Sequence, residues 1–370
     1  MKSAVKHTIF TYLVLGLLSF IFFNFSVFDF IEDAFDDFSY LDLVQSKNIF
    51  KYEKVIPDVV LVNIENRDRE ELAFLIAHLA NQSPKVIGVD AVFREQRDPY
   101  KDSILSATIQ KHQKLLVGSY IYPDIKNHPN FAISNTGYIN FNLKKERNNV
   151  IRDFITNKDS LNSFAYLVAQ KATTKKIPKN SKLRPIKYYG DYHQFLHLSF
   201  DDVMFQENIP FLKDKVVLLG YLGIPLGNIN DIQDKKFTPI NKNFTGKTIP
   251  DMYGVTIHAN ITNSLMKEDF IKEVPSFIVI ILNILVTFFT SLLFIKIYKK
   301  EYTNEMLIEK LFQLVYTFLM LWISILFFTM GIKFPVVLII LCPILAIELL
   351  PYFEFFNNLL IKKWNFLSKK

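Results

Sequence analysis

Cysteine occurs once in the 370 residues, as Cys342. That excludes an intrachain disulfide, a Cys-rich zinc site and a Cys-x-x-Cys redox motif. Glycine is scarce, with 11 residues. Its one cluster, Gly220-Tyr-Leu-Gly223 with Gly227, lacks both the Walker Lys-Ser/Thr and the Rossmann spacing, and tight turns account for it. No histidine-glutamate zinc motif, EF-hand loop or nucleophile motif supports a metal or catalytic centre. The chain is therefore expected to be no enzyme and to hold no metal and no cofactor. What it has instead is apolar bulk: 50% of the residues are hydrophobic and 36 are Phe. These gather into a few long runs and do not recur at helix or strand period, which indicates membrane spans around one soluble domain.

The formal net charge is +7, and its location decides whether nucleic acid is implied. Residues 29–274 hold 32 Lys/Arg against 31 Asp/Glu, while the two flanks hold 11 against 5. Lys2 and Lys6 precede the first apolar run; Lys296, Lys299, Lys300 and Lys310 separate the second from the third; Lys362, Lys363, Lys369 and Lys370 close the chain. This is the positive-inside pattern of membrane topology and not a nucleic-acid-binding stripe.

The first run is about 20 residues long, enough to cross a hydrocarbon core of about 30 Å. Asn24 to Phe28 offers no small-residue cleavage site, so the run reads as an uncleaved anchor. The organisation expected is a cytoplasmic N-terminus (1–7), an anchor span (8–28), an exported domain (29–274), a span (275–295) and a cytoplasmic loop (296–310). A third span (311–331), an external turn (332–334), a fourth span (335–355) and a cytoplasmic tail (356–370) complete it. Pro343 is expected to kink the last span unless neighbouring helices restore its freed hydrogen bonds. Asn283, Ser324 and Glu348 lie within the spans and should face other helices. Asn283 and Ser324, at similar depth, suit a mutual bond, and Glu348 suits a snorkelling or helix-packing carboxylate.

Within the exported domain, Asp58 to Glu65 and Lys85 to Asp90 are short β-branched runs that read as buried strands. Arg67 to Asn81 places Leu72, Leu75, Ile76 and Leu79 on one helical face, Asp98 to Lys111 makes a second helix and Leu115 to Tyr122 a third strand. The order β-α-β-α-β predicts a mainly parallel sheet with helical crossovers, so the chain is an α/β domain joined to four transmembrane α-helices. Gly137 to Leu143 is expected as a strand, Ser160 to Ala172 as a helix, and Lys187 to Gly190 with Gln194 to Leu198 as edge strands. Lys215 to Gly220 is a further central strand and Gly254 to Met266 a helix, with about thirty aperiodic residues between them of the kind that form functional or packed loops. Ile31, Phe35, Phe38 and Leu41 are three or four apart, which predicts an amphipathic linker or lead-in helix over Asp29 to Asp42.

One series of residues carries a resemblance: the strand ending at Asp90, Gly137-x-x-Asn140, Arg152, Lys213-x-Lys215-Val-Val-Leu-Leu-Gly220, Asp231, Thr238-Pro239 and Gly254-Val-Thr-Ile-His258-Ala-Asn. It resembles the type-2 CHASE family of extracellular sensor domains, whose members typically have one anchor, an exported sensor and three further spans. The resemblance embraces roughly Phe28 to Tyr352. It implies an input module of the sort that serves histidine kinases, nucleotide cyclases and serine/threonine kinases. Two departures stand out. Asn66-Arg67-Asp68-Arg69 replaces the family's Gly-x-Trp-Pro segment, and the tail after the last span is too short for a kinase or cyclase.

Ligands of open parallel sheets bind beyond the carboxyl ends of the strands, where Asp90 and Gly220 fall. Asp90 is suited to coordinate a cation, to orient a ligand hydroxyl or to cap the following loop. His258 is suited to a backbone-bonded structural role or to ligand contact. By fold analogy Asp231 and Thr238 complete a pocket with Asp90 and His258, and Arg152 joins the candidate ligand-binding set through the resemblance. The function expected is that of a multi-pass inner-membrane sensor whose extracytoplasmic domain detects an unknown ligand or envelope signal. It would relay that signal through its helices to a separate cytoplasmic signalling protein, or act as a homo-oligomer. The alternatives are a non-signalling structural or assembly subunit of an envelope complex and, remotely, an exported hydrolase using Asp90, Asp231 and His258.

Overall fold

The computed structural model describes residues 1–24, 40–46, 55–141, 150–224, 232–242, 249–300 and 304–367. The chain forms two compact units, Met1–Phe35 with Lys272–Lys370, and Asp36–Ile271. Helices α1 (Lys2–Asn24) and α2 (Tyr40–Ser46) come first. The second unit continues with β1 (Ile56–Asn63), α3 (Arg69–Asn81), β2 (Val86–Val89), α4 (Pro99–His112), β3 (Leu116–Tyr120) and β4 (Thr136–Tyr138). It closes with α5 (Phe164–Ala172), β5 (Phe195–Leu198), α6 (Phe200–Met204), β6 (Val216–Gly220) and α7 (Gly254–Lys267). Helices α8 (Ser276–Tyr298), α9 (Glu305–Thr329) and α10 (Val337–Leu367) return the chain to the first unit.

The sheet has six strands in the order β4-β3-β2-β6-β1-β5, all paired in parallel. The mainly parallel sheet with helical crossovers expected from the sequence is thus present. Strands β1, β2 and β6 lie inside the sheet with helices on both faces, which is why their sequences are nearly unbroken aliphatic runs. Alternation sorts them: Val60, Val62, Ile87, Val217 and Leu219 pack against α3, α4 and α6, while Val59, Leu61, Val216 and Leu218 pack against α5 and α7. Helix α3 starts at Asp68, whose carboxylate caps Glu70 and Glu71 while Glu71 reciprocates. Helix α4 starts at Asp98 with Pro99 in its first turn. Helix α7 is buried from Gly254 to Leu265, between the sheet and a second layer that includes Phe154, Ile186 and Tyr188.

Three elements differ from expectation, the first being the strand anticipated over Gly137 to Leu143, which among the described residues is only Thr136–Tyr138. The helix anticipated from Ser160 begins at Phe164, because Asp159 and Ser160 adopt left-handed φ values of 49° and 68° in a tight hairpin and Ser163 caps Tyr166. Lys187 to Gly190 forms no strand; a side chain satisfies its backbone instead, with Tyr189 N–H donating to Asn260 Oδ1 at 2.7 Å and Asn260 Nδ2 to Gly190 O at 3.0 Å. The linker helix expected over Asp29 to Asp42 lies outside the described residues up to position 39.

In the first unit, α1, α8, α9 and α10 each contain a stretch long and apolar enough to cross a membrane. A polar seam joins three of them: His7 bonds Ser291 at 2.9 Å and Tyr12 bonds Thr287 at 3.3 Å between α1 and α8, and Asn283 Nδ2 donates to Cys342 Sγ at 3.3 Å between α8 and α10. The Asn283–Ser324 bond does not form, since Ser324 donates to Phe334 O at 3.0 Å. Glu348, exposed on α10, bridges to α9, accepting from Gln313 Nε2 at 3.0 Å and pairing with Lys310. Helix α10 runs on past both Pro343 and Pro351. A short parallel ladder pairs Lys272–Glu273, ahead of α8, with Ile332–Lys333, between α9 and α10.

Candidate functional site

A crevice on the α3 side and an acidic corner on the α7 side flank the carboxyl ends of the central strands. On the α7 side the key residue is Asp90. It follows β2 directly, and because Val89 joins the α3 and α4 core, alternation turns Asp90 toward α7. Its N–H donates to Leu219 O at 2.8 Å, which holds it to the end of β6. Facing it is Asp234, a residue at φ 57° whose backbone O accepts from Gly254 N–H at 3.1 Å. The Asp234 carboxylate lies against the first turn of α7, so close that a Cβ on Gly254 would stand 3.1 Å from Oδ2. Among the described residues no side chain hydrogen-bonds the start of α7 at Tyr253, and the carboxylate supplies the negative charge that a helix start favours. Lys236 Nζ completes the corner, 4.0 Å from Asp234 Oδ1.

Asp90 is only partly exposed and is crowded by protein atoms. Desolvation, with repulsion from Asp234 added and Lys236 opposing, pushes its carboxyl up to about 8. Asp234 is raised as well, chiefly by desolvation, with Lys236 and the Gly254 N–H opposing. At neutral pH the corner therefore keeps a proton on Asp90, which can donate a hydrogen bond where an ionised carboxylate cannot. Among the described residues, no three His, Cys, Asp or Glu side chains are placed to hold a metal.

The other sequence candidates fall elsewhere. A Cβ on Gly220 would meet Val255 Cβ at 2.5 Å, so this glycine lets α7 approach the sheet and leaves no room for a ligand. Thr238 donates from its N–H to Asp251 Oδ1 at 2.8 Å and from its hydroxyl to Oδ2, closing the loop ahead of α7. Burial pushes Asp251 up to about 6 against these bonds. Arg152 grips Asp42 of α2, with Nε 3.0 Å from Oδ1. His258 is buried against Phe141 and Phe164, with ring centroids at 4.5 and 5.2 Å. Desolvation lowers it to about 3. Asp231 lies outside the described residues. Gly137 and Asn140 are structural: a Cβ at 137 would stand 2.5 Å from Phe164 N, and Asn140 holds Tyr122 N at 2.7 Å.

On the α3 side lies a cavity of about 750 Å³, bounded by the segments that leave β1 and β2. Arg67, Arg69, Arg94, Arg97 and Lys101 line it together with Asp68, Asp98 and Asp102. Arg69 pairs with Asp102 and sits 4.7 Å from the Phe131 ring centroid. Arg67 is fixed by Glu65 at 2.9 Å and Glu71 at 3.2 Å and lies over Phe200. Three of the four residues that replace the Gly-x-Trp-Pro segment, Arg67, Asp68 and Arg69, thus form one wall of this cavity. Sequence reasoning missed Asp234, Lys236, Asp251 and the arginine wall.

No curated protein and no solved structure matches the chain. The profile of the CHASE2 domain matches residues 13–293, spanning most of α1, the whole α/β unit and most of α8. The chain belongs to the CHASE2 family of extracellular sensory domains.

Proposed function

We propose that this protein is a multi-pass sensor of a bacterial inner membrane whose α/β unit lies outside the cytoplasm. It binds a ligand or envelope signal without catalysing a reaction and relays the event through its helices to a separate cytoplasmic signalling protein. The observation that carries this reading is the polar seam. The helix leading into the sensory unit and the helix leading out of it are bonded to each other, His7 to Ser291 and Tyr12 to Thr287. A signal that alters the spacing of the sensory unit's two ends therefore acts on a coupled helix pair. It can shift that pair only by its differential affinity for two arrangements, commonly about 1 to 3 kcal/mol. The lysine-rich short segments support cytoplasmic placement of residues 296–310 and of both flanks.

The test is crosslinking and affinity purification of the full chain from native membranes. A kinase, cyclase or other signalling enzyme crosslinked to residues 296–310 is the expected result. Recovery of external or envelope proteins alone would replace this reading with a structural or assembly subunit. One observation favours that second reading: Phe74 and Phe205 stand exposed on α3 and at the end of α6, two elements tied by His78 to Gln206 O at 2.8 Å.

A further inference from the structure

The cavity on the α3 side has the volume of a small-molecule site, about 300 to 1,000 Å³ being usual. It also lies where open parallel sheets take ligands, beyond their carboxyl edge. Its charges are unevenly occupied. Asp98 caps α4 through the N–H groups of Tyr100 and Lys101 at 2.9 and 3.1 Å. Asp68 caps α3 and accepts from Lys101 Nζ at 2.6 Å. Asp102 accepts from Arg69 and from Arg97 N–H at 2.8 Å. Every one of these carboxylates already answers a protein donor.

The cations are not matched in the same way. Arg69 is immobilised by Asp102, Glu95 O and the Phe131 ring. Among the described residues the Arg97 guanidinium pairs with Glu95 alone, at 3.5 Å with both side chains largely exposed, a pairing that contributes little in water. Arg94 has no carboxylate partner among the described residues and is exposed at the cavity. Leu72, Val92 and Phe93 supply an apolar floor.

We propose that this crevice binds a small organic anion, its carboxylate or phosphate oxygens held by Arg94 and Arg97 and its carbon frame by Phe93 and Leu72. A planar guanidinium with several donors suits either oxyanion. The floor favours an anion with carbon over a bare inorganic ion. The proposal rests on the sensory reading, since the bound anion would be its input.

Calorimetric titration of the purified full-length protein in detergent, with citrate, glycerol phosphate, inorganic phosphate and matched sodium chloride, tests it. Saturable binding of citrate or glycerol phosphate is expected, and which of the two binds tells a carboxylate ligand from a phosphate one. Arg94→Glu should weaken binding about tenfold or more, the loss of one charge-assisted contact. Lys179→Glu, in an exposed loop away from the cavity, should leave binding unchanged. Arg94→Gln serves as the second variant if Arg94→Glu melts differently without ligand. Binding of none of these anions above chloride, binding confined to inorganic phosphate, or equal affinity in wild type and both Arg94 variants would overturn the proposal. Anion binding that leaves α1–α8 crosslinking between Thr8→Cys and Ser291→Cys unchanged, in a Cys342→Ser background, would keep this site and sink the sensory relay. A crosslinked cytoplasmic enzyme without anion binding would do the reverse.

Discussion

The sensory unit and the membrane unit treat small polar residues in opposite ways. Within α7, Thr256 Oγ1, His258 Nδ1 and both polar atoms of Asn263 are buried with no hydrogen-bond partner among the described residues. In the helical unit Thr8, Asn283, Thr287 and Ser291 all find partners across helices, although His7 Nε2 and Glu309 Oε1 find none among the described residues. The solvent explains the contrast. Burial of apolar surface from water stabilises the sheet and its helices by roughly 25 cal/mol per Å², enough to carry a few orphaned atoms at about 1–3 kcal/mol each. Lipid provides no such force between helices, so packing and polar contacts decide which helices pair. The orphaned polar atoms of α7 are thus a cost the core absorbs, and the polar residues of α1, α8 and α10 select partners.

The strongest way to test the first half of that contrast is to overfill the core. In Gly137→Ala the new Cβ would press on the backbone of Phe164, which cannot swing aside like a side chain. A loss of about 3 kcal/mol, at the upper end of usual overpacking costs, is expected in urea unfolding of the full-length protein. Unchanged stability would show that α5 is free to shift.

Next in size is a pH effect confined to the acid corner. Asp90 titrates near 8 when folded and near about 3.9 when unfolded. The folded state thus holds the extra proton between those values, and the associated stability is lost as pH rises through the folded pKa. Asp251, raised to about 6, acts in the same direction at lower pH, and His258, lowered to about 3, acts in the opposite one below its unfolded value. Between about pH 6.5 and 8, therefore, Asp90 dominates, and stability should fall by up to about 2 kcal/mol. Asp90→Asn should flatten that slope; a slope equal to wild type in denaturation at several pH values would assign it elsewhere.

The smallest effect compares two asparagines directly. Asn283→Leu should weaken the α8–α10 association by about 1 kcal/mol, read as loss of thermal stability in detergent. Asn263→Leu, which removes two orphaned polar atoms, should be neutral or stabilising. Equal losses at both positions would mean that the core asparagine is not an uncompensated cost.

Much of the fold was legible because it is written in repeating patterns. Aliphatic runs marked β1, β2 and β6, and the face of Leu72, Leu75, Ile76 and Leu79 marked α3. The placement of Asp90 followed from strand order alone. Its partner Asp234 was not readable, since Asp231, Asp234 and Asp251 share one aperiodic stretch in which spacing distinguishes none of them. Arg152 entered the candidate set through the resemblance, and its pairing with Asp42, 110 positions away, left no local signal in the sequence. The seam left a signal that was passed over: Asn283, Thr287 and Ser291 recur every fourth residue on one face of α8, which in a membrane helix marks a side turned from lipid.

The ladder of Lys272–Glu273 with Ile332–Lys333 has a mechanical meaning. Lys272 N–H donates to Gly331 O at 2.8 Å, Val274 N–H donates to Lys333 O at 3.2 Å, and Glu273 pairs with Lys333 at 2.9 Å. The residues that begin α8 are therefore yoked to the bend between α9 and α10. A pull or twist delivered at Lys272 would be loaded at once onto three helices, which the ladder braces together from the first residue of this unit's second segment.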